Sequence, residues 1–200
     1  MAINPLAKEL IIRFNINRFI ETGIWKGDTM TIVDGWFKEL KMDYFMFEID
    51  SSEEYCKNAV KLGNPNILVL QGSSDMALRQ LMWRWILPWD RVMIYLDAHW
   101  EEYWPLRDEL KQVLDLKNKP IILIDDYKTP GRAYGYDTYH WNDCGTEYIK
   151  DLIKDRVEKV YIFDKPNKDN RTSGILFLDR TEEEIDKMLE GIPVIKEELY

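Results

Sequence analysis

Short apolar runs alternate with amphipathic stretches along this chain, and that alternation restricts its fold more than any other feature. Runs rich in Ile, Val, Phe and Tyr lie at Arg18 to Thr22, Tyr44 to Ile49, Asn66 to Gln71, Arg91 to Leu96, Pro120 to Ile124, Lys159 to Phe163 and Gly174 to Leu178. Each is too short for a typical helix and has the near-continuous apolar character of a strand buried on both faces. Between them, Met30 to Leu40 carries Ile32, Val33, Trp36, Phe37 and Leu40 at helical spacing, with Asp28 or Thr29 near its start. Ser51-Ser52-Glu53-Glu54 offers a capping box for a helix through Val60 that stops at Gly63, and Thr181-Glu182-Glu183-Glu184 caps a last one to about Leu189. Leu78 to Ile86, Pro105 to Leu116, Glu147 to Val157 and a leading Asn4 to Phe14 read as further helices.

Only the polar loop Pro166 to Ser173 separates the last two strands, so they are expected to pair as an antiparallel hairpin. The expected fold is therefore α/β: a Rossmann-like, doubly wound, mostly parallel sheet of seven strands with a C-terminal antiparallel hairpin and helices on both faces. Two hundred residues, 46% hydrophobic and 32% charged, suit one domain over residues 1–200.

Composition narrows the partners. With 36 acidic against 27 basic side chains the net charge is -9, so a phosphate backbone is repelled on average and nucleic acid is not expected as a partner. Lys165, Lys168 and Arg171 cluster in one loop and read as a solvated turn. Cys56 and Cys144 have neither zinc nor disulfide spacing, which fits a reducing cytoplasm. The apolar residues near the N-terminus are interrupted by Lys8, Glu9 and Arg13, and no run is long enough to span a bilayer, so neither a signal segment nor a membrane partner is expected.

Sheets of this kind bind ligands beyond the carboxyl ends of their strands, where strand order reverses. The first strand ends in the turn Glu21-Thr22-Gly23-Ile24-Trp25-Lys26-Gly27-Asp28-Thr29, whose glycines let a ligand approach the backbone. Its spacing is neither the GxGxxG of a nicotinamide-binding turn nor a phosphate loop. Taken alone, it is equally a tight helix-starting turn. The second strand ends in Phe47-Glu48-Ile49-Asp50, the third in Gln71-Gly72-Ser73-Ser74, the fourth in Asp97-Ala98-His99-Trp100 and the fifth in Asp125-Asp126.

The turn resembles motif I of class I S-adenosylmethionine-dependent methyltransferases, in the variant reading Glu-Thr-Gly with Gly-Asp-Thr four residues on. The resemblance implies S-adenosylmethionine as cofactor, held by Glu21, Thr22, Gly23, Gly27 and Thr29, with Glu21 toward the methionine ammonium. Glu48 is the first choice for the ribose hydroxyls. Asp50 is the alternative, unless it caps the following helix. Gly72, Ser73 and Ser74 match the family's Gly-Asp-Ser, with Ser73 in place of the adenine-binding Asp.

Asp97, Asp125 and Asp126 end neighbouring strands, and converging carboxylates of this kind suit Mg2+. Their pattern resembles the metal site of methyltransferases acting on sugar and catechol hydroxyls. Pro105-Leu106-x-Asp108-Glu109-Leu110 after Asp-Ala-His also resembles a bacterial methyltransferase-like family. His99 is a candidate general base, because imidazole ordinarily titrates near neutrality. His140 lies in an aromatic segment that reads as either a substrate lid or a cover over the sheet edge.

The expected reaction is O-methylation of a small hydroxylated acceptor, of sugar or phenol type, with His99 and Asp97 catalytic and Asp97 also beside the cofactor. The alternative is a protein of this fold that binds a ligand or partner without chemistry. Oligomeric state is open, and a homo-oligomer is compatible with the chain.

Overall fold

The computed structural model describes residues 3–99 and 103–199. Among the described residues ten strands and seven helices follow in the order α1 (Ala7–Arg13), β1 (Arg18–Thr22), α2 (Asp28–Glu39), β2 (Phe45–Asp50), α3 (Glu53–Val60), β3 (Ile67–Gln71), α4 (Ser74–Arg84), β4 (Val92–Leu96), α5 (Leu106–Val113), β5 (Ile121–Ile124), β6 (Thr138–Tyr139), β7 (Asn142–Asp143), α6 (Thr146–Ile153), β8 (Lys159–Phe163), β9 (Gly174–Phe177), α7 (Glu182–Leu189) and β10 (Val194–Glu198). All seven expected strands form within two residues of their expected limits.

Eight strands, rather than the expected seven, make one sheet in the order β3-β2-β1-β4-β5-β9-β8-β10, and β6 with β7 forms a separate ribbon. The strands from β3 to β5 are parallel, and β9 runs antiparallel between β5 and β8 as the expected hairpin. The additional strand is β10, antiparallel to β8. Its residues Lys196, Glu197 and Glu198 hide it from an apolar-run criterion. They act as charged edge residues instead: Lys196 pairs with Glu182 and Asp186, and Glu198 pairs with Lys159.

Side-chain alternation divides the core into two layers. Phe19, Met46, Met93 and Tyr95 point to a layer with α1, α2, α3 and α7, while Ile20, Phe47, Ile94 and Leu96 point to one with α4, α5 and α6. At α7 the reciprocal Thr181 and Glu184 capping box forms as expected. At α3 the box does not form: Ser52, not Ser51, is the cap, and its hydroxyl accepts from Tyr55 N, leaving Glu54 one position too early. Both cysteines are buried and free. Among the described residues no helix is long and apolar enough to cross a membrane.

Strand order reverses at β1, which lies between β2 and β4. There Gly23 N donates to Ile49 O at 2.8 Å and Asp97 N donates to Thr22 O at 3.1 Å, so the parallel ladder runs one step past the strands. A Cβ on Gly23 would lie 2.5 Å from the Asp97 carbonyl oxygen, and its φ of +86° is left-handed. We predict that Gly23→Ala lowers stability by about 2–4 kcal/mol through backbone strain and overpacking, read as a loss of thermal midpoint by circular dichroism. An unchanged midpoint would show that the β1 and β4 termini can separate freely.

Candidate active site

The turn after β1 is shaped by backbone constraints. Trp25 and Gly27 take left-handed φ of 45° and 75°, and Gly27 starts α2 without a side-chain cap. Asp50 at the end of β2 then binds this turn to the next one: Trp25 N donates to its Oδ2 at 3.2 Å and Ser52 N to its Oδ1 at 2.7 Å. A cavity of about 310 Å3 opens above the β1 terminus, walled by Gly23, Trp25, Asp50, Ser51, Ser52, Tyr55, Asp97, Ala98 and His99.

Gly23, Asp50, Asp97 and His99, four of the residues singled out from the sequence, therefore meet in one cavity. Gly27, Thr29, Gly72 and Ser73 stand outside its lining. Ser73 is the N-cap residue of α4, with its hydroxyl against Asp75, and Ser74 is the buried first residue of that helix. Thr22 is buried and its Oγ1 accepts from Asp97 N at 3.3 Å. Thr29 Oγ1 accepts from Ile3 N at 3.2 Å.

Glu21 and Glu48 also lie outside the cavity lining. They are register partners on β1 and β2, 1% and 0% exposed, beneath the cavity floor. The two carboxyls hydrogen-bond each other. Burial first, and repulsion from Glu48 second, raise the Glu21 pKa well above its usual range, while burial raises Glu48 to about 8. Both carboxyls are thus pushed toward the protonated form in the folded protein, and Asp50 is the acid of β2 that lines the cavity.

Asp97, Asp125 and Asp126 do come to neighbouring positions. Burial is the largest cause of a raised pKa in each, bringing Asp125 to about 6 and Asp126 to about 8, and Asp97 is raised further by Asp125 and Glu21. Ser173 Oγ donates to Asp125 Oδ1 at 3.2 Å. Asp126 is engaged by Arg171, whose Nη1 also donates to Asp137 Oδ1 at 2.6 Å. Arg171 is therefore not part of a solvated turn, as its sequence cluster suggested, but a shared counter-ion for two acids. Among the described residues no three His, Cys, Asp or Glu side chains converge in a way that holds a metal ion, so the three aspartates do not fit the Mg2+ site expected of them.

His99 is more than half exposed, with Nδ1 3.8 Å from Asp137 Oδ2. Trp100, its sequence neighbour, lies outside the described residues. The segment after β5 folds over the sheet edge: β6 and β7 turn through His140 and Trp141, both at positive φ, and Tyr139 packs toward Trp104, which stacks on Tyr148 at 4.6 Å. These contacts anchor the segment, with Trp141 left 98% exposed at its tip. Asp137, Trp104 and Arg171 complete this edge. Sequence reasoning gave them no role because their loops have no strand-end signature.

No family model matches the chain, and no curated protein matches it by sequence. Solved structures do match by shape. The S-adenosylhomocysteine-bound methyltransferase PaMTH1 of Podospora anserina aligns at TM-score 0.57 and 19% identity over 86% of this chain and 77% of that one. The O-methyltransferase TomG of Streptomyces achromogenes, involved in tomaymycin synthesis and solved with S-adenosylmethionine, aligns at 0.58 and 15% over 86% and 77%. The CMeT domain of the citrinin polyketide synthase aligns at 0.55 and 12% over 82% of this chain, which spans 46% of that domain.

The buried acid pair makes a distinct prediction. Glu48 keeps its proton in the folded protein at pH values where the unfolded chain, near 4.5, has lost it. This contribution to stability is full below pH 4.5 and is lost as pH rises to about 8. Glu48→Gln, which mimics the protonated acid, is expected to match the wild type at pH 5 and exceed it at pH 8 by on the order of 1 kcal/mol or more. Thermal melts across that range measure the gap. A gap independent of pH would show that Glu48 is ionised throughout. At these levels of identity the likeness is one of architecture: the chain has the Rossmann-like fold shared by these S-adenosylmethionine-dependent methyltransferases.

Proposed function

We propose that this chain is an S-adenosylmethionine-dependent methyltransferase that methylates a hydroxyl group of a small-molecule acceptor. The observation that carries the reading is the single cavity at the β1 switch point, which joins a cofactor side at Gly23, Trp25 and Asp50 to a reacting side at Asp97 and His99. Its volume lies at the lower end of the range of ligand sites.

On the cofactor side Asp50 takes the ribose in place of Glu48. Its two backbone hydrogen bonds leave lone pairs on both carboxylate oxygens for the two ribose hydroxyls. Trp25 and Tyr55 offer aromatic faces beside it. On the reacting side the acceptor hydroxyl gives its proton to Nε2 of His99, whose Nδ1 faces Asp137. The acceptor oxygen forms its bond to the methyl carbon as the bond from carbon to sulfur breaks, and the sulfonium becomes a neutral thioether. The donor's charge disappears in that step, so alignment and removal of the hydroxyl proton are the protein's tasks. No step is assigned to Mg2+.

Calorimetry with S-adenosylhomocysteine tests the cofactor side. Binding by the wild type should weaken by tenfold or more in Asp50→Ala, the loss of about 1.4 kcal/mol or more expected when charge-assisted hydrogen bonds go. Absence of binding at millimolar ligand would sink the proposal. On the reacting side, His99→Ala should leave that affinity unchanged while lowering turnover on a panel of sugars and phenols by about 10²–10⁴-fold. Binding without turnover on any acceptor would favour a ligand-binding protein of the same fold.

A further inference from the structure

The segment Trp83-Arg84-Trp85-Ile86-Leu87-Pro88-Trp89 has no part in that scheme, yet it holds three of the eight tryptophans of the chain. An exposed tryptophan forgoes a large gain from burial, so an amphipathic helix ordinarily turns polar side chains outward. α4 does not. Its inward positions Ser74, Leu78 and Leu81 are buried, while Met76 and Trp83 on its outer face are 63% and 85% exposed. Of the eleven large hydrophobic side chains exposed among the described residues, seven lie between Val60 and Trp89. The exposure is also held in place. α4 returns antiparallel to the strands, so the chain after Arg84 lies at their amino ends, opposite the cavity. There the buried Asp90 closes a turn: its Oδ2 accepts from Leu87 N at 2.8 Å, its own N donates to Leu87 O at 3.0 Å, and Arg18 pairs with its Oδ1 at 3.2 Å. Leu87 and Trp89 are thus displayed from a fixed turn. On the other face of the sheet, α3 ends at the same level in the exposed Val60 and Leu62.

Charge at this end is mostly of one sign. From Tyr55 to Trp89 the sole acid is Asp75, in the first turn of α4 and so at the cavity end of that helix. Lys61, Arg84 and Arg91 are exposed, and Lys61 and Arg91 hydrogen-bond Asn58 and the Asn15 carbonyl rather than an acid. The exposed Asp43 stands two residues after the exposed Lys41. The net charge of -9 arises elsewhere on the chain, and beyond a Debye length of about 8 Å those acids are largely screened. Protruding tryptophans flanked by cations suit the boundary between lipid headgroups and hydrocarbon, where an indole meets both an apolar and a polar medium and cations meet acidic lipid. A second copy docked here about a two-fold axis would instead set these cations against their own equivalents.

We propose that this end of the sheet docks on an anionic bilayer surface, with Trp83, Trp85, Leu87 and Trp89 inserted among the headgroups, Lys61, Arg84 and Arg91 facing acidic lipid, and the cavity turned away from the membrane. Such a contact needs no spanning helix, and it revises the expectation, drawn from the lack of an apolar span, that the chain has no membrane partner. The inference is independent of the methyltransferase reading.

The test sediments the full chain with vesicles of phosphatidylcholine alone and of equal parts phosphatidylcholine and phosphatidylglycerol. The chain should partition onto the mixed vesicles at least about tenfold more strongly than onto the neutral ones, because several cations contribute, and added salt should weaken the binding. Arg84→Ala should lower partition onto mixed vesicles about fivefold, the effect of one cation near the surface. Trp83→Ser combined with Trp89→Ser should lower it by about tenfold or more. Both tryptophans are exposed, so the thermal midpoint of the double variant should match that of the wild type. Failure to bind either vesicle, equal binding to both compositions, or binding that survives both sets of substitutions would overturn the proposal. So would a two-copy mass by light scattering without lipid that reverts to one copy in the double variant, which would assign the patch to self-association. Should the variants fail to fold, the lipid dependence of the wild type decides alone.

Discussion

The parallel ladder between β1 and β4 is the contact on which the rest of this structure depends. It continues past Thr22 and Leu96 and brings the Gly23 main chain against the Asp97 carbonyl, so close that a Cβ has no room. Because strand order reverses at β1, the loops after β1 and β4 depart to opposite faces of the sheet and leave a gap between them. The cavity is that gap. One side of it is shaped by main chain and Asp50, and the other by Asp97 and His99.

The same ladder creates an electrostatic problem. Register places Glu48 beside Glu21, with Asp97 and Asp125 two residues further along their strands on the same sheet face. All sit where burial disfavours charge, and their mutual repulsion adds to it. The protein resolves this unevenly. Burial pushes Glu21 and Glu48 toward the protonated form, Asp126 and Asp137 share Arg171, and Asp50 accepts from backbone donors. Asp97 lines the cavity.

The roof over this site has a different origin. Residues 128–145 contain no periodic apolar pattern, yet they are tied down by Lys128 N to Cys144 O and Asp137 N to Asp126 O hydrogen bonds, and by Tyr139 packing toward Trp104. Asp137 reaches His99 and Arg171 only because this segment folds back across the end of β5.

Much of the fold was legible along the chain because a strand buried on both faces leaves an apolar run that needs no knowledge of its neighbours. The seven such runs, the glycine turn and the acids after β2, β4 and β5 follow from local physics, as does the Thr181 capping box. β10 was not legible, since an edge strand keeps charges on it and leaves no apolar signature. Tertiary structure alone decided which acid of β2 lines the cavity: Asp50 does and Glu48, two residues earlier on the same face, does not, because only the last residue of the strand reaches past the sheet. It alone matched Arg171 to Asp126 and Asp137, 45 and 34 residues away. Residue types and strand ends are properties of the sequence. Pairing, desolvation and the direction of a carboxylate arise only when distant segments meet.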